Sequence, residues 1–147
     1  MGNVQITQQQ VLKSQQLKKE KARTVRQQQV YKDAQNLFYV MAQMRKNVPV
    51  KYRAVLDPSY SECMHLLVSL SLAYADGAAR VPQLTLAAAH LDAIHTALGM
   101  LRSLGSISKD DYKKARSLAT SCTQQAMAWR ASSLARLPQG SNGGTAL

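Results

Sequence analysis

Two cysteines, three histidines and a strip of lysines and arginines are the residues of this 147-residue chain whose types and spacing could do chemistry. Cys63 and Cys122 lie far apart, without CxxC spacing, and each falls within an apolar helical pattern, so buried thiols are expected. His65, His90 and His95 offer no i,i+4 pair and HExxH is absent, so no metal site is expected. Asp110 and Asp111 sit where a helix should begin, and acids there complement the helix dipole by about 0.3–1 kcal/mol. Glu62 fits a capping box with Ser59. There is no Gly-rich phosphate loop, nucleophile elbow or carboxylate pair, so the expectation is a non-enzyme without a cofactor.

The basic residues are the informative set. Eleven Lys and Arg from Lys13 to Arg53 face only Glu20 and Asp33, whereas the rest of the chain carries eight basic against six acidic residues. A solvated helix face usually mixes its signs, so the run Lys13, Lys18, Lys19, Lys21, Arg23 and Arg26 reads as an arm for a polyanion. Nucleic acid is the leading partner and an anionic membrane surface the second, through counterion release that carries no sequence information. Arg45, Lys46, Lys51 and Arg53 bracket the Val48-Pro49 turn and form a second expected basic patch. Tyr52 beside them is expected to pack rather than stack on a base, and Trp129 to fill the core or a subunit contact.

The elements that must carry these residues are helices. With 46% hydrophobic residues the chain has enough apolar surface for one domain and too little length for two. No stretch reads as about 18 uncharged apolar residues, and Met1 to Gln10 lack the apolar segment of a secretory signal, which suggests a cytoplasmic protein with no membrane partner.

Residues 1–29 are rich in Gln, Lys and Arg and read as a helical or fraying extension. Val30, Ala34, Leu37, Phe38, Met41, Met44 and Val48 recur at helical spacing until Pro49, predicting a helix over roughly 30–47. A second helix is expected to start at Ser59-Tyr60-Ser61-Glu62, with Tyr60, Cys63, Met64, Leu67, Leu70 and Tyr74 on one face. Leu66, Val68 and Leu72 occupy its other sides, so this helix must be central or lie in a subunit interface. Gly77 and Pro82 separate it from a third helix carrying Leu84, Ala87, Ala88, Leu91, Ile94, Leu98 and Leu101. Gly105 and Ser108 mark a short turn to a fourth, with Tyr112, Ala115, Leu118, Ala119, Cys122, Ala126 and Trp129. The pattern predicts an all-α antiparallel four-helix bundle over about 30–135, followed by a flexible tail over 136–147.

Three features in fixed order resemble one family. Tyr31-Lys32 opens the first bundle helix, which closes on Asn47-Val48-Pro49 with Lys51 and Arg53 behind it. Leu91-Asp92-Ala93-Ile94 leads through one Gly-containing turn to Ile107-Ser108-Lys109-Asp110-Asp111-Tyr112, and the last helix ends at Trp129-Arg130-Ala131-Ser132. This order is similar to the accessory variability determinant (Avd) proteins of diversity-generating retroelements, over about residues 30–133. The resemblance implies a small basic four-helix bundle that forms a ring-like homopentamer and associates with a reverse transcriptase. It also implies binding of template RNA or cDNA and a non-catalytic role in mutagenic copying. The chain departs from the family pattern at His95, where an Arg is common, and at Met127-Ala128, where Gly-Gly is usual. Two other readings fit the residues: a four-helix bundle of the ribosomal-RNA intervening-sequence-encoded type, and a structural assembly protein whose basic arm meets an acidic surface.

Overall fold

The computed structural model describes residues 7–137, of which the side chains of 17–28 are excepted. Its order is α1 (Gln8–Asn47), a short 3-10 turn (Val50–Tyr52), α2 (Arg53–Ala75), α3 (Arg80–Ser103) and α4 (Lys109–Ala135), with no strand among the described residues. The tail from 138 onward and residues 1–6 lie outside the described residues.

α1 does not begin near Val30 as its apolar pattern suggests. The extension and the core-forming segment are one helix of 40 residues, about 60 Å at 1.5 Å per residue. A capping box starts it: the Thr7 hydroxyl accepts from the Gln10 amide at 3.3 Å, and the Gln10 side chain accepts from the Thr7 amide at 3.1 Å. Gln, Lys and Arg have good helix propensity, which carries the helix from this cap toward the core. Residues 7–16 are exposed, and Val30 is the first buried residue described. From there Val30, Ala34, Leu37, Met41, Met44 and Val48 alternate at spacings of four and three, a stripe on one side of the helix. Asn47 ends α1 and Pro49 caps the following turn.

α2 departs most from expectation. It starts at Arg53, and Pro58 lies inside it. Pro58, the sixth residue of the helix, supplies no amide to the Ala54 carbonyl and crowds it, yet the helix continues through it. Ser59 is consequently not a cap: it is buried, and its hydroxyl donates to the Leu56 carbonyl. Glu62 is released from the capping role and turns to α3. The buried face is Leu56, Ser59, Cys63, Leu66, Ser69, Leu70 and Ala73, with Met64, Val68, Leu72 and Tyr74 exposed. Leu66 therefore belongs to the core, and Met64 and Tyr74 do not.

α3 buries Leu84, Ala87, Leu91, Ile94, Leu98 and Leu101, as its pattern predicts, with Ala88 half-buried. By length and composition this helix is apolar enough to cross a membrane, with a mean hydropathy of 1.3 over an 18-residue window, contrary to the expectation that no segment qualifies. Leu84, Leu91, Ile94, Leu98 and Leu101 of this helix lie in the core shared with α2 and α4, while Leu86 and Met100 are exposed and a third of that window is buried.

The α3–α4 turn follows its sequence signals closely. Gly105 adopts φ +68°, its amide bonds the Arg102 carbonyl at 3.0 Å, and the Ser106 amide bonds the Leu101 carbonyl at 3.1 Å. Together these satisfy the last carbonyls of α3 in a Schellman arrangement. Ser108 then caps α4 by accepting from the Asp111 amide at 3.1 Å. The α4 core face is Ala115, Ala119, Cys122 and Ala126, small side chains that allow close approach of its neighbours.

α1 packs on α2 and α4, and α3 packs on α2 and α4, so the four helices enclose one common core. Polar contacts tie the pairs together. Asp33 on α1 accepts from Gln125 Nε2 at 2.7 Å and Ser121 Oγ at 3.3 Å on α4, and Arg130 on α4 donates to Thr85 on α3 at 2.8 Å. Trp129 packs half-buried against the core with the Arg80 guanidinium 5.5 Å from its ring centroid.

Candidate nucleic-acid interface

The expected basic arm lies on the N-terminal half of α1. Lys13 is exposed there; Lys18, Lys19, Lys21, Arg23 and Arg26 fall on a described helical backbone, but their side chains lie outside the described residues.

The second expected patch is thinner than the sequence suggests. Arg45 Nε donates to Asp57 Oδ1 at 2.8 Å, and the hydrogen bond and charge of Asp57 raise the guanidinium pKa. Arg53 is half-buried, and its Nε is enclosed without a hydrogen-bond partner. Both side chains are thus drawn toward the fold: one meets the acid that follows the α1–α2 turn, the other opens α2 beneath it. Lys46 and Lys51 remain exposed. The Lys51 ammonium stands 4.9 Å from the Tyr52 ring centroid, while that ring packs against the core, so Tyr52 holds a lysine rather than offering a free stacking face.

A third basic surface was not singled out in the sequence. An open concavity of about 630 Å³ on the outer side of α4 is lined by Arg102, Lys109, Lys113 and Arg116, with Tyr112, Ser117, Thr120, Ser121 and Gln124. Lys109, Lys113, Arg116 and Thr120 follow one another at spacings of four, three and four, which stacks them along one helix face. Arg116 donates to the Tyr112 hydroxyl at 3.0 Å and lies 5.7 Å from its ring centroid, so the phenol orients the guanidinium. Arg102 reaches over the turn to donate to the Ile107 carbonyl at 3.1 Å. Cations interspersed with hydroxyl and amide donors suit phosphate oxygens. The signal was present as a helical spacing, but Asp110 and Asp111 cancelled it in any count of charge along the chain.

The carboxylates behave differently from the cations. Asp33 bonds Gln125 and Ser121, Asp57 bonds Arg45, Asp76 Oδ1 accepts the Ala78 amide, and Glu62 bonds His90. Half of the acids thus have partners within the chain, Asp57 and Asp76 at exposed positions.

The Glu62 contact also brings two of the histidines together. Glu62 and His65 are three residues apart on α2, and the packing of α3 brings His90 between them: Nδ1 of His90 lies 2.5 Å, and Nδ1 of His65 4.0 Å, from Glu62 Oε2. The E-x-x-H spacing was visible, but its third member comes from another helix, 28 residues away from Glu62. His95 takes no part. Cys63 and Cys122 are buried, and burial pushes both thiols up to about 12, so neither is a nucleophile near neutral pH.

No protein-family model, no curated protein and no solved structure matches this chain.

Proposed function

We propose that this protein is a non-catalytic nucleic-acid-binding factor of the Avd type, supporting a reverse transcriptase in mutagenic copying of template RNA into cDNA. The observation that carries the binding part is the asymmetry of charge. Four of the eight carboxylates, Asp33, Asp57, Glu62 and Asp76, have partners within the chain, whereas Lys13, Lys46, Lys51 and the α4 set Lys109, Lys113 and Arg116 are exposed. Such a distribution attracts polyanions without reading their sequence. The accessory role rests on the resemblance of the ordered motifs and on the want of a catalytic constellation in the sequence.

The finer architecture belongs to the same proposal: an antiparallel four-helix bundle assembling as a ring-like homo-oligomer, a pentamer by resemblance. The exposed apolar line Met64, Val68 and Leu72 on α2 supports assembly, since solvent-facing apolar side chains at successive turns of a helix are what a subunit contact covers.

Binding of RNA, DNA and hybrid duplexes measured against salt tests the first part. Neutralisation of roughly 6–10 phosphates makes affinity fall about 10³–10⁵-fold between 50 and 200 mM salt. An affinity nearly independent of salt overturns it. Co-expression with a reverse transcriptase of a diversity-generating retroelement and its template tests the second: co-purification and template-dependent cDNA synthesis are expected, and a folded protein that gives neither refutes the accessory role.

A further inference from the structure

We infer that Glu62, His65 and His90 form a site for one divalent transition-metal ion of the zinc class, joining α2 to α3. Glu62 and His65 lie one turn apart on the same side of α2, and His90 enters from α3. One ligand atom from each of the three comes within 4.8 Å of the other two. The imidazole rings of His65 and His90 are 5.3 Å apart between centroids, close enough for both to turn a nitrogen to a common point.

An ion would draw the three ligand atoms, now within 4.8 Å of one another, to a common spacing. Zinc sits about 2.0–2.1 Å from imidazole nitrogen and about 2.0–2.2 Å from carboxylate oxygen, so tetrahedral ligands stand roughly 3.3–3.5 Å apart. The Glu62–His90 contact of 2.5 Å is shorter than the ligand spacing around zinc, so an ion bound by both spreads the pair by roughly 1 Å. His65, now 4.0 Å from the carboxylate, closes by a smaller movement, and its 60% exposed side chain is free to make it.

Charge and donor type agree. Among the described residues Glu62 pairs with no lysine or arginine, and its ion-pair partners are the imidazoles of His65 and His90. A dication therefore meets an anionic ligand that no fixed cation has neutralised. Two imidazoles and one carboxylate favour zinc, copper, nickel or cobalt over calcium and magnesium, which take oxygen-only shells. Glu62 and His90 are 30% and 21% exposed, so the remaining coordination position opens to water. The site shares no residue with the basic surfaces described above, and its presence does not depend on the nucleic-acid reading.

The test is a titration of the full, chelator-treated chain with Co²⁺ followed by visible absorption, then displacement by Zn²⁺. The expected result is a saturable 1:1 tetrahedral spectrum, with affinity at least about tenfold weaker in His65→Ala and in Glu62→Gln and unchanged in His95→Ala, since even outer-shell changes at metal sites cost 10–100-fold. His65→Ala alters an exposed position, and circular dichroism confirms that each variant is folded. No saturable binding, binding unchanged in His65→Ala, or thiolate charge-transfer absorption from Cys63 or Cys122 overturns the assignment.

Discussion

Arg45 Nε donates to Asp57 Oδ1 at 2.8 Å across the turn joining α1 to α2, so one of the four cations at that end of the fold already has its anion. Its neighbours Lys46 and Lys51 are exposed and have no carboxylate partner among the described contacts. Replacing Arg45 with Ala should leave the salt dependence of nucleic-acid binding unchanged. Lys46→Ala and Lys51→Ala should each flatten the slope of log affinity against log salt by roughly 0.9, the contribution of one phosphate contact. Equal effects from all three variants would show that the Arg45–Asp57 pair opens to bind phosphate.

Removal of residues 1–28 separates the arm from the packed helices. Val30 is the first buried residue described, so the shortened chain should keep its denaturant midpoint while losing six cations between Lys13 and Arg26. If the arm carries the binding, the salt slope falls by up to roughly 5. If instead Lys109, Lys113 and Arg116 carry it, the slope is unchanged by the truncation and falls on substitution of those three to Ala. The two surfaces are thereby told apart by one measurement.

The reach of the sequence varied from helix to helix for a physical reason. α3 and the core-forming part of α1 each have one dominant stripe of large apolar residues, and their buried sets follow its spacing, with Leu86 and Met100 of α3 and Tyr39 of α1 left exposed. The α3–α4 turn was equally legible, because Gly105 and Ser108 act through local backbone geometry. α2 is apolar on most sides, so periodicity could not choose between a face centred on Leu66 and one including Met64 and Tyr74; packing against α3 decided it. The expected start of the second helix at Ser59 falls just after Pro58, which lies instead in the second turn of α2. The Glu62–His90 pairing depends on how two helices register, which no local pattern in either of them records.

Asp33 links α1 to α4 through Gln125 and Ser121 on α4, and also accepts from Gln29 at 2.9 Å. Substitution by Ala strips the part-buried Gln125 and Ser121 of an acceptor. Leaving buried polar groups unsatisfied costs about 1–3 kcal/mol, so urea unfolding of Asp33→Ala should lose stability in that range. The double variant Asp33→Ala, Gln125→Leu should recover part of it, because the stranded amide is then gone. A loss under about 0.5 kcal/mol in the single variant would show that water replaces the contact.

The two core thiols predict how stability responds to alkali. Burial raises both to about 12, with the Asp33 and Cys63 charges adding to the effect on Cys122 and the Glu62 charge to that on Cys63. In the unfolded chain they ionise from an ordinary value of 9.0. Between these limits the unfolded state loses protons that the folded state keeps, so the thiol contribution to stability is complete below pH 9 and is lost as pH rises toward 12. Tyrosine and lysine also titrate in this window, which makes the comparison with the Cys63→Ala, Cys122→Ala variant the informative one. Its stability should decline less steeply over pH 9–12 than that of the parent. Parallel curves would mean that the thiols ionise in the folded state as readily as outside it.

Met64, Val68 and Leu72 are 47%, 52% and 46% exposed at successive turns of α2, on the side away from its buried heptad. Core packing does not use them, so polar replacements there should cost the individual fold little; surface changes of this kind usually stay within about 0.5 kcal/mol. If copies of the chain meet through this line, each side chain is buried in the assembly and a charge there is desolvated without a partner. Val68→Glu with Leu72→Glu should therefore convert an oligomer to a folded monomer in sedimentation or light scattering, with helical content retained. Nucleic-acid affinity should drop in the same variant, because separated subunits no longer pool their cations on one polyanion. An unchanged mass would place the subunit contact elsewhere, and a monomeric parent protein would remove assembly from the proposal while leaving the charge argument standing.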